Sequence, residues 1–217
     1  MHKFLPYAWF RGKCVPFSEA NVSIATHALH YGTAAFGGMR VIPDPQRENQ
    51  CLLFRSDKHA RRLSQSAKFL LTELSEEYII NSITSMLKAN KPVKPAYIRP
   101  FVYTSDLGIA PRLHNIETDF FVYGIELGDY LSPDGVSCRF SSWKRQQDSS
   151  LPLRGKISGA YITSSLAKTE AVNSGFDEAI LLNSQGKVSE ASGMNIFIVR
   201  DSKLITPGVD QDILEGI

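Results

Sequence analysis

Residues 130–135, YLSPDG, interrupt this chain more sharply than any other stretch, since proline and glycine fall there among polar residues. Neither a helix nor a central strand continues through such a segment. It therefore predicts two domains: a small N-terminal α+β domain over residues 1–129, a linker over 130–135, and a second domain from 136 to 217. A chain of 217 residues can bury a sizeable core in this way.

Hydrophobic periodicity supplies the elements on either side. Residues 7–10 and 14–17, joined by Arg11-Gly12, read as a hairpin, and 52–54 as a short strand. Ser56 is expected to cap a helix to about residue 71, with Ala60, Leu63, Ala67 and Leu70 on one face. Ser75 opens a second helix, with Glu76 and Glu77 at its positive end and Ile79, Ile83, Met86 and Leu87 as its stripe. Strands follow over 96–103 and 119–126, and Pro100 implies an edge position or a bulge in the first.

Beyond the linker, 136–143 alternates as a half-buried strand should, and a polar loop spans 144–154. A helix runs from 158 or 159 to about 174, with Tyr161, Ile162, Leu166 and Val172 as its periodic residues and Gly175 as its stop. Short strands over 179–182, 187–190, 195–199 and 204–206 predict a β-meander, so the class is α+β.

Composition excludes several functions. Hydrophobic residues at 43% and charged residues at 21% are those of a globular protein, and a net charge of +2 gives nucleic acid or an anionic membrane nothing to grip. Cys14, Cys51 and Cys138 are odd in number and far apart, which argues against a disulfide framework and for the cytoplasm. His27 and His30 share a helical spacing, but no third ligand accompanies them, so no metal site is expected.

Chemistry-bearing residues are individually ambiguous. Lys156, in LRGKISGAY, lies between small residues that permit close backbone approach, yet a lone loop lysine is ordinarily solvated surface. A nucleotide loop fails there, because Ser150 and Ile157 occupy the places that need Gly and Ser or Thr. Glu190 precedes a Ser-Gly turn and reads equally as a turn residue. Arg62 is either an anion ligand or part of a solvated basic face. Tyr97 and Arg99 share a strand face, where the arginine needs a carboxylate from the protein or from a substrate. A lysine and a carboxylate together are what pyridoxal phosphate requires, one for the covalent link and one for the ring nitrogen.

The order of THALHYGTAAFGGMR, LFRSDKHARRLSQSAK, AYIRPFVY, SSWKR, GKISGAYITSSLAKTEA and GFDEAILLNSQGKVSEASGMNIFIV resembles the branched-chain-amino-acid aminotransferases of fold-type IV, over nearly the whole chain. The HALHYG and YIRP segments favour these over the D-amino-acid aminotransferases and aminodeoxychorismate lyases of the same fold. A cofactor-free scaffold module is the reading from another class; the presence of Lys156, Glu190 and Arg62 argues against it.

The resemblance implies a two-domain fold-type IV enzyme, similar to D-amino-acid aminotransferase, that transfers amino groups from leucine, isoleucine or valine to 2-oxoglutarate. It implies pyridoxal 5′-phosphate bonded by Lys156, which also moves the Cα proton. Glu190 would meet the ring nitrogen, Arg62 the phosphate and Tyr161 the ring oxygen; Leu214 would back the ring and the Ile217 amide, at a helix N-terminus, would bind phosphate. Phe36, Tyr97 and Tyr130 would line the substrate pocket, Arg99 would take the glutamate side-chain carboxylate, and Tyr31 would enter from a neighbouring subunit of a homodimer or larger homo-oligomer. Gly37 and Leu127 depart from the family's usual glutamate and aromatic. The family pattern continues past DILEGI, so the second domain is expected to be incomplete at Ile217.

Overall fold

The computed structural model describes residues 3–48, 50–128 and 131–217. The chain divides into two compact units, Met1–Tyr130 and Leu131–Ile217. The first unit is built on a sheet of β1 (Lys3–Phe4), β2 (Tyr7–Phe10), β3 (Lys13–Pro16), β4 (Ala34–Phe36), β5 (Met39–Pro43), β6 (Cys51–Leu53), β7 (Ala96–Thr104) and β8 (Thr118–Glu126). Its order is β3-β2-β8-β7-β5-β6, with β1 on β8 and β4 on β7. The β2–β3 hairpin closes on Arg11 and Gly12, both with positive φ (50° and 78°), the conformation that matches a two-residue turn to strand twist.

Three helices accompany this sheet: α1 (His27–Tyr31), α2 (Ser56–Ala67) and α3 (Glu76–Asn90). The Ser75 side chain accepts the Tyr78 amide at 3.1 Å, so the expected cap of α3 is present. Ser56, in contrast, does not cap α2; Arg55 turns the chain into the helix with φ 49°, and no side chain caps that end. Ile79, Ile83 and Met86 are fully buried where α3 packs against α2 and strands β2, β7 and β8. Ile83→Ala is expected to cost about 2–5 kcal/mol, read as a lower urea midpoint at unchanged slope.

Strands β4 and β5 were not anticipated, because GG at 37–38 looks like a break in the sequence. Both instead pair with β7, which makes β7 an interior strand and overturns the edge position expected from Pro100. The reason lies opposite Pro100. Gly37 donates its amide to the Pro100 carbonyl at 2.8 Å, and the ladder is interrupted between β4 and β5 where proline has no N–H to return. A Cβ on Gly37 would sit 2.9 Å from Pro100 Cγ, so the ring and the glycine fit each other.

The second unit has β9 (Cys138–Lys144), α4 (Tyr161–Asn173), β10 (Glu178–Leu182) and β11 (Val188–Ala191), with strand order β11-β10-β9. Strands β9 and β10 are parallel and joined through α4, as a crossover requires. The expected meander is only partly present: β12 (Ile198–Arg200) and β13 (Lys203–Ile205) form a separate two-stranded sheet. Asn195, expected in a strand, lies outside one and donates its side-chain amide to Glu190 and the Leu214 carbonyl. Helix α4 also differs from expectation. Its buried face is Thr163, Ser164, Ala167 and Ala171, whereas Ile162 and Val172 are exposed. Small residues let the helix approach Ala179 and Leu181 of β10 closely, and that contact outweighs the periodicity of the larger side chains. Among the described residues, no helix is long and apolar enough to cross a membrane.

Candidate functional site

In the second unit, Lys156 precedes the 3-10 turn Ser158–Ala160 that leads into α4. Leu153, Gly155 and Ile157 are buried around it and anchor the backbone, while the lysine itself is half-buried. Its Nζ donates to the Tyr161 hydroxyl at 2.5 Å. Tyr161 is the first residue of α4, so the helix start fixes the phenol relative to the amine.

Glu190, near the end of β11, is buried, and Arg145, Leu214 and Asn195 donate to its carboxylate. Arg145 Nη2 pairs with Oε1 at 2.8 Å, and the side chains are 5% and 9% exposed. Oε2 accepts the Leu214 amide at 3.0 Å and the Asn195 side-chain amide at 3.3 Å. Asn195 Nδ2 also donates to the Leu214 carbonyl at 2.8 Å, which explains why it leaves the strand expected there. Burial pushes the Glu190 carboxyl above its ordinary range; the Arg145 charge, then the Leu214 amide, then the Lys156 charge pull it back in part.

The first unit gathers a second group. Arg99 Nε donates to the Tyr97 hydroxyl at 3.1 Å, and its guanidinium carbon lies 4.3 Å from the Phe36 ring centroid. Among the described residues, no carboxylate pairs with Arg99. Phe36 continues into a row of rings, with Phe101 at 6.1 Å and Phe121 a further 4.8 Å on. These side chains lie on the face of β7 and β8 opposite the buried residues Ile98, Val102 and Val122, as strand alternation dictates. Burial raises the Tyr97 hydroxyl above its usual range, opposed by the charges of Arg99 and Arg62. A Cβ on Gly38 would collide with the Tyr97 hydroxyl, so glycine is needed for the ring to lie there.

Arg62 is half-buried on α2 next to exposed Arg61. Tyr31 ends α1 with its ring 4.5 Å from that of His27. His27 is buried and structural: Nε2 meets the Ala110 carbonyl at 2.8 Å and so carries its hydrogen, while Nδ1 meets Thr104 at 2.9 Å and Thr33 at 3.0 Å. Ile217 lies in irregular chain, and Tyr130 is outside the described residues.

Arg145 and Asn195 were missed by sequence reasoning. Arg145 shares strand parity with buried Ser141, and a charge on that phase signals a buried partner. Asn195 gave no comparable signal.

Residues 34–217 match the family model described as Amino-transferase class IV. A relative from Synechocystis sp., named "Probable branched-chain-amino-acid aminotransferase", is 67% identical over all of this chain, which spans 71% of that relative. The solved branched-chain aminotransferase of Thermoproteus uzoniensis, with norvaline, is 34% identical with a TM-score of 0.93, over 100% of this chain and 72% of its own. That of T.th., complexed with N-(5′-phosphopyridoxyl)-L-glutamate, is 36% identical with a TM-score of 0.88, over 98% and 70%. The chain therefore belongs to the class IV aminotransferases, and its fold is the mixed α/β fold of the fold-type IV branched-chain enzymes.

Proposed function

We propose that this chain is a branched-chain-amino-acid aminotransferase that uses pyridoxal 5′-phosphate to move the amino group of leucine, isoleucine or valine to 2-oxoglutarate. The observation that carries the reading is the Lys156–Tyr161 amine–phenol pair in the same compact unit as the buried, ion-paired carboxylate of Glu190. The donor set suits the cofactor. A carboxylate has about four acceptor sites, and the Glu190 carboxylate receives bonds from Arg145, Leu214 and Asn195, so it keeps capacity for a ring N–H. When bound, pyridoxal phosphate supplies a protonated pyridine that withdraws electrons from the substrate Cα–H bond.

In this reading Lys156 holds the cofactor and carries the proton at the substrate Cα, with Tyr161 steering the amine. Glu190 keeps the ring nitrogen protonated. Arg62 and the Ile217 amide take the phosphate, and Leu214 backs the ring. Phe36, Tyr97 and Tyr130 give an aliphatic side chain apolar walls, with Tyr31 supplied by a second subunit of a homodimer or larger assembly. Arg99, whose donors outnumber its one side-chain bond among the described residues, to Tyr97, takes the distal carboxylate of glutamate or 2-oxoglutarate. The relatives solved with norvaline and with a phosphopyridoxyl-glutamate support one pocket that takes both side-chain types. Residues 136–217 serve as the N-terminal part of a larger cofactor domain, 1–129 as the small domain and 130–135 as the linker; the division into compact units Met1–Tyr130 and Leu131–Ile217 supports this. The proposed compartment is the cytoplasm, in keeping with three free cysteines.

The test is spectroscopic. Chain supplied with pyridoxal phosphate is expected to be yellow, and its visible band to move on adding L-leucine and return on adding 2-oxoglutarate. A band indifferent to L-leucine sinks the reading. Gly38→Ala is expected to displace Tyr97 and break its bond to Arg99, weakening turnover of 2-oxoglutarate by about tenfold while that of L-leucine falls less. Half-reaction kinetics with each substrate check this.

A further inference from the structure

We propose that Arg145 is a positioning residue that keeps Glu190 ionised and fixed in one orientation, and through it keeps the ring nitrogen of the cofactor protonated. The inference deepens the proposed function and rests on Glu190 being the partner of that nitrogen.

The geometry is a closed circuit. Arg145 follows β9 directly, and its own amide donates to the Leu182 carbonyl at 2.9 Å, which ties it to the end of β10. Its Nε donates to the Asp212 carbonyl at 3.2 Å while Nη2 grips Glu190. Glu190 in turn accepts the Leu214 amide. Both members of the ion pair therefore hold the segment 212–214, one through a carbonyl and the other through an amide. A guanidinium does this because its donors diverge in a plane; an ammonium cannot meet both acceptors with the same geometry.

The electrostatics follow from burial. A carboxyl group this deeply buried tends to take up a proton unless something holds its charge. The charged groups acting on Glu190 are Arg145, beyond β9, and Lys156, before α4; Leu214 and Asn195 contribute neutral donors. Arg145 exerts the largest downward pull of these. It cannot itself lose its proton, so it is a permanent counter-charge. Lys156 is not permanent in that sense, since holding the cofactor consumes its free ammonium. Once that happens, Arg145 is the remaining cation of the two. A protonated Glu190 would present a neutral carboxyl group, which no longer stabilises a positive pyridine.

The first measurement needs no cofactor. The full chain carrying carboxyl-labelled [13C]glutamate is titrated by NMR, and the Glu190 signal is identified by its loss in Glu190→Gln. In Arg145→Met the Glu190 midpoint is expected to rise by about one to three pH units, because an opposing charge is removed. In Arg145→Lys it is expected to stay within about half a unit of the parent. Arg145→Gln keeps donors without the charge and is expected to rise like Met, so it replaces Met if that variant does not fold. A rise of less than about half a unit in the uncharged variant overturns the proposal, whatever happens to stability.

The second measurement uses the chain loaded with [15N]pyridoxal phosphate, whose nitrogen shift reports ring protonation. The parent is expected to show a protonated ring at neutral pH and the uncharged variant a largely neutral one. A ring protonated equally in both overturns the role assigned to Arg145. A parent that takes up no pyridoxal phosphate while its Glu190 midpoint still depends on Arg145 overturns the proposed function, and the ring-nitrogen role falls with it.

Discussion

Lys156→Ala is expected to lower the rate of L-leucine transamination by at least about a thousandfold, because proton transfer at Cα and covalent capture of the cofactor are lost together. The lysine is set for this by backbone geometry. Buried Leu153 and Ile157 anchor the turn on either side, and the Tyr161 hydroxyl at 2.5 Å holds the amine at the start of α4. Lys168 on α4 is committed to Glu178 at 2.9 Å and to the Asp177 carbonyl. Lys156→Arg is expected to be equally inactive, since it keeps a positive charge and hydrogen-bond donors but cannot release a proton near neutral pH. Borohydride treatment of the parent, followed by peptide mapping, is expected to fix the cofactor to the peptide containing Lys156. A label elsewhere, or an alanine variant with about a tenth of parental turnover, would refute the assignment.

Sequence reasoning reached the elements whose local signals agree with their packing. Helix α3 is one: a serine cap, two glutamates in the first turn and an apolar stripe all point the same way, and the stripe is buried. Helix α4 shows the limit. Its large apolar residues made the periodic pattern, but its alanines and hydroxyl residues made the contact, since close approach to a sheet favours small side chains. Strands β4 and β5 were hidden because the Gly37-Gly38 step has meaning only opposite Pro100, some sixty residues away in the chain and paired with it across the ladder. The same holds for the candidate site. Lys156 and Tyr161 are one turn apart and could be read together. The partnership of Arg145 with Glu190 joins the residue after β9 to one in β11, and no local pattern shows which buried charge will meet which.

Arg99→Met is expected to separate the two substrates. The half-reaction with 2-oxoglutarate should lose about a hundredfold or more in kcat/KM, while that with L-leucine should change by only a few-fold. The surroundings of the guanidinium set this separation. Phe36 lies 4.3 Å from it and the Tyr97 hydroxyl accepts a single bond, so most of its donors face no protein acceptor among the described residues. A half-buried charge in that setting gains most from a ligand carboxylate, which can take two parallel bonds from the planar fork. An aliphatic side chain makes no such bonds; in the proposed site it would meet the ring faces of Phe36 and Tyr97, which methionine leaves in place and extends with an apolar chain of similar reach. The ping-pong sequence lets each half be followed alone in single turnover. Arg99→Lys should recover part of the loss, because the charge returns without the fork. Equal loss on both substrates would mean that Arg99 supports the sheet face rather than the distal carboxylate. That outcome would move acidic-substrate recognition away from β7.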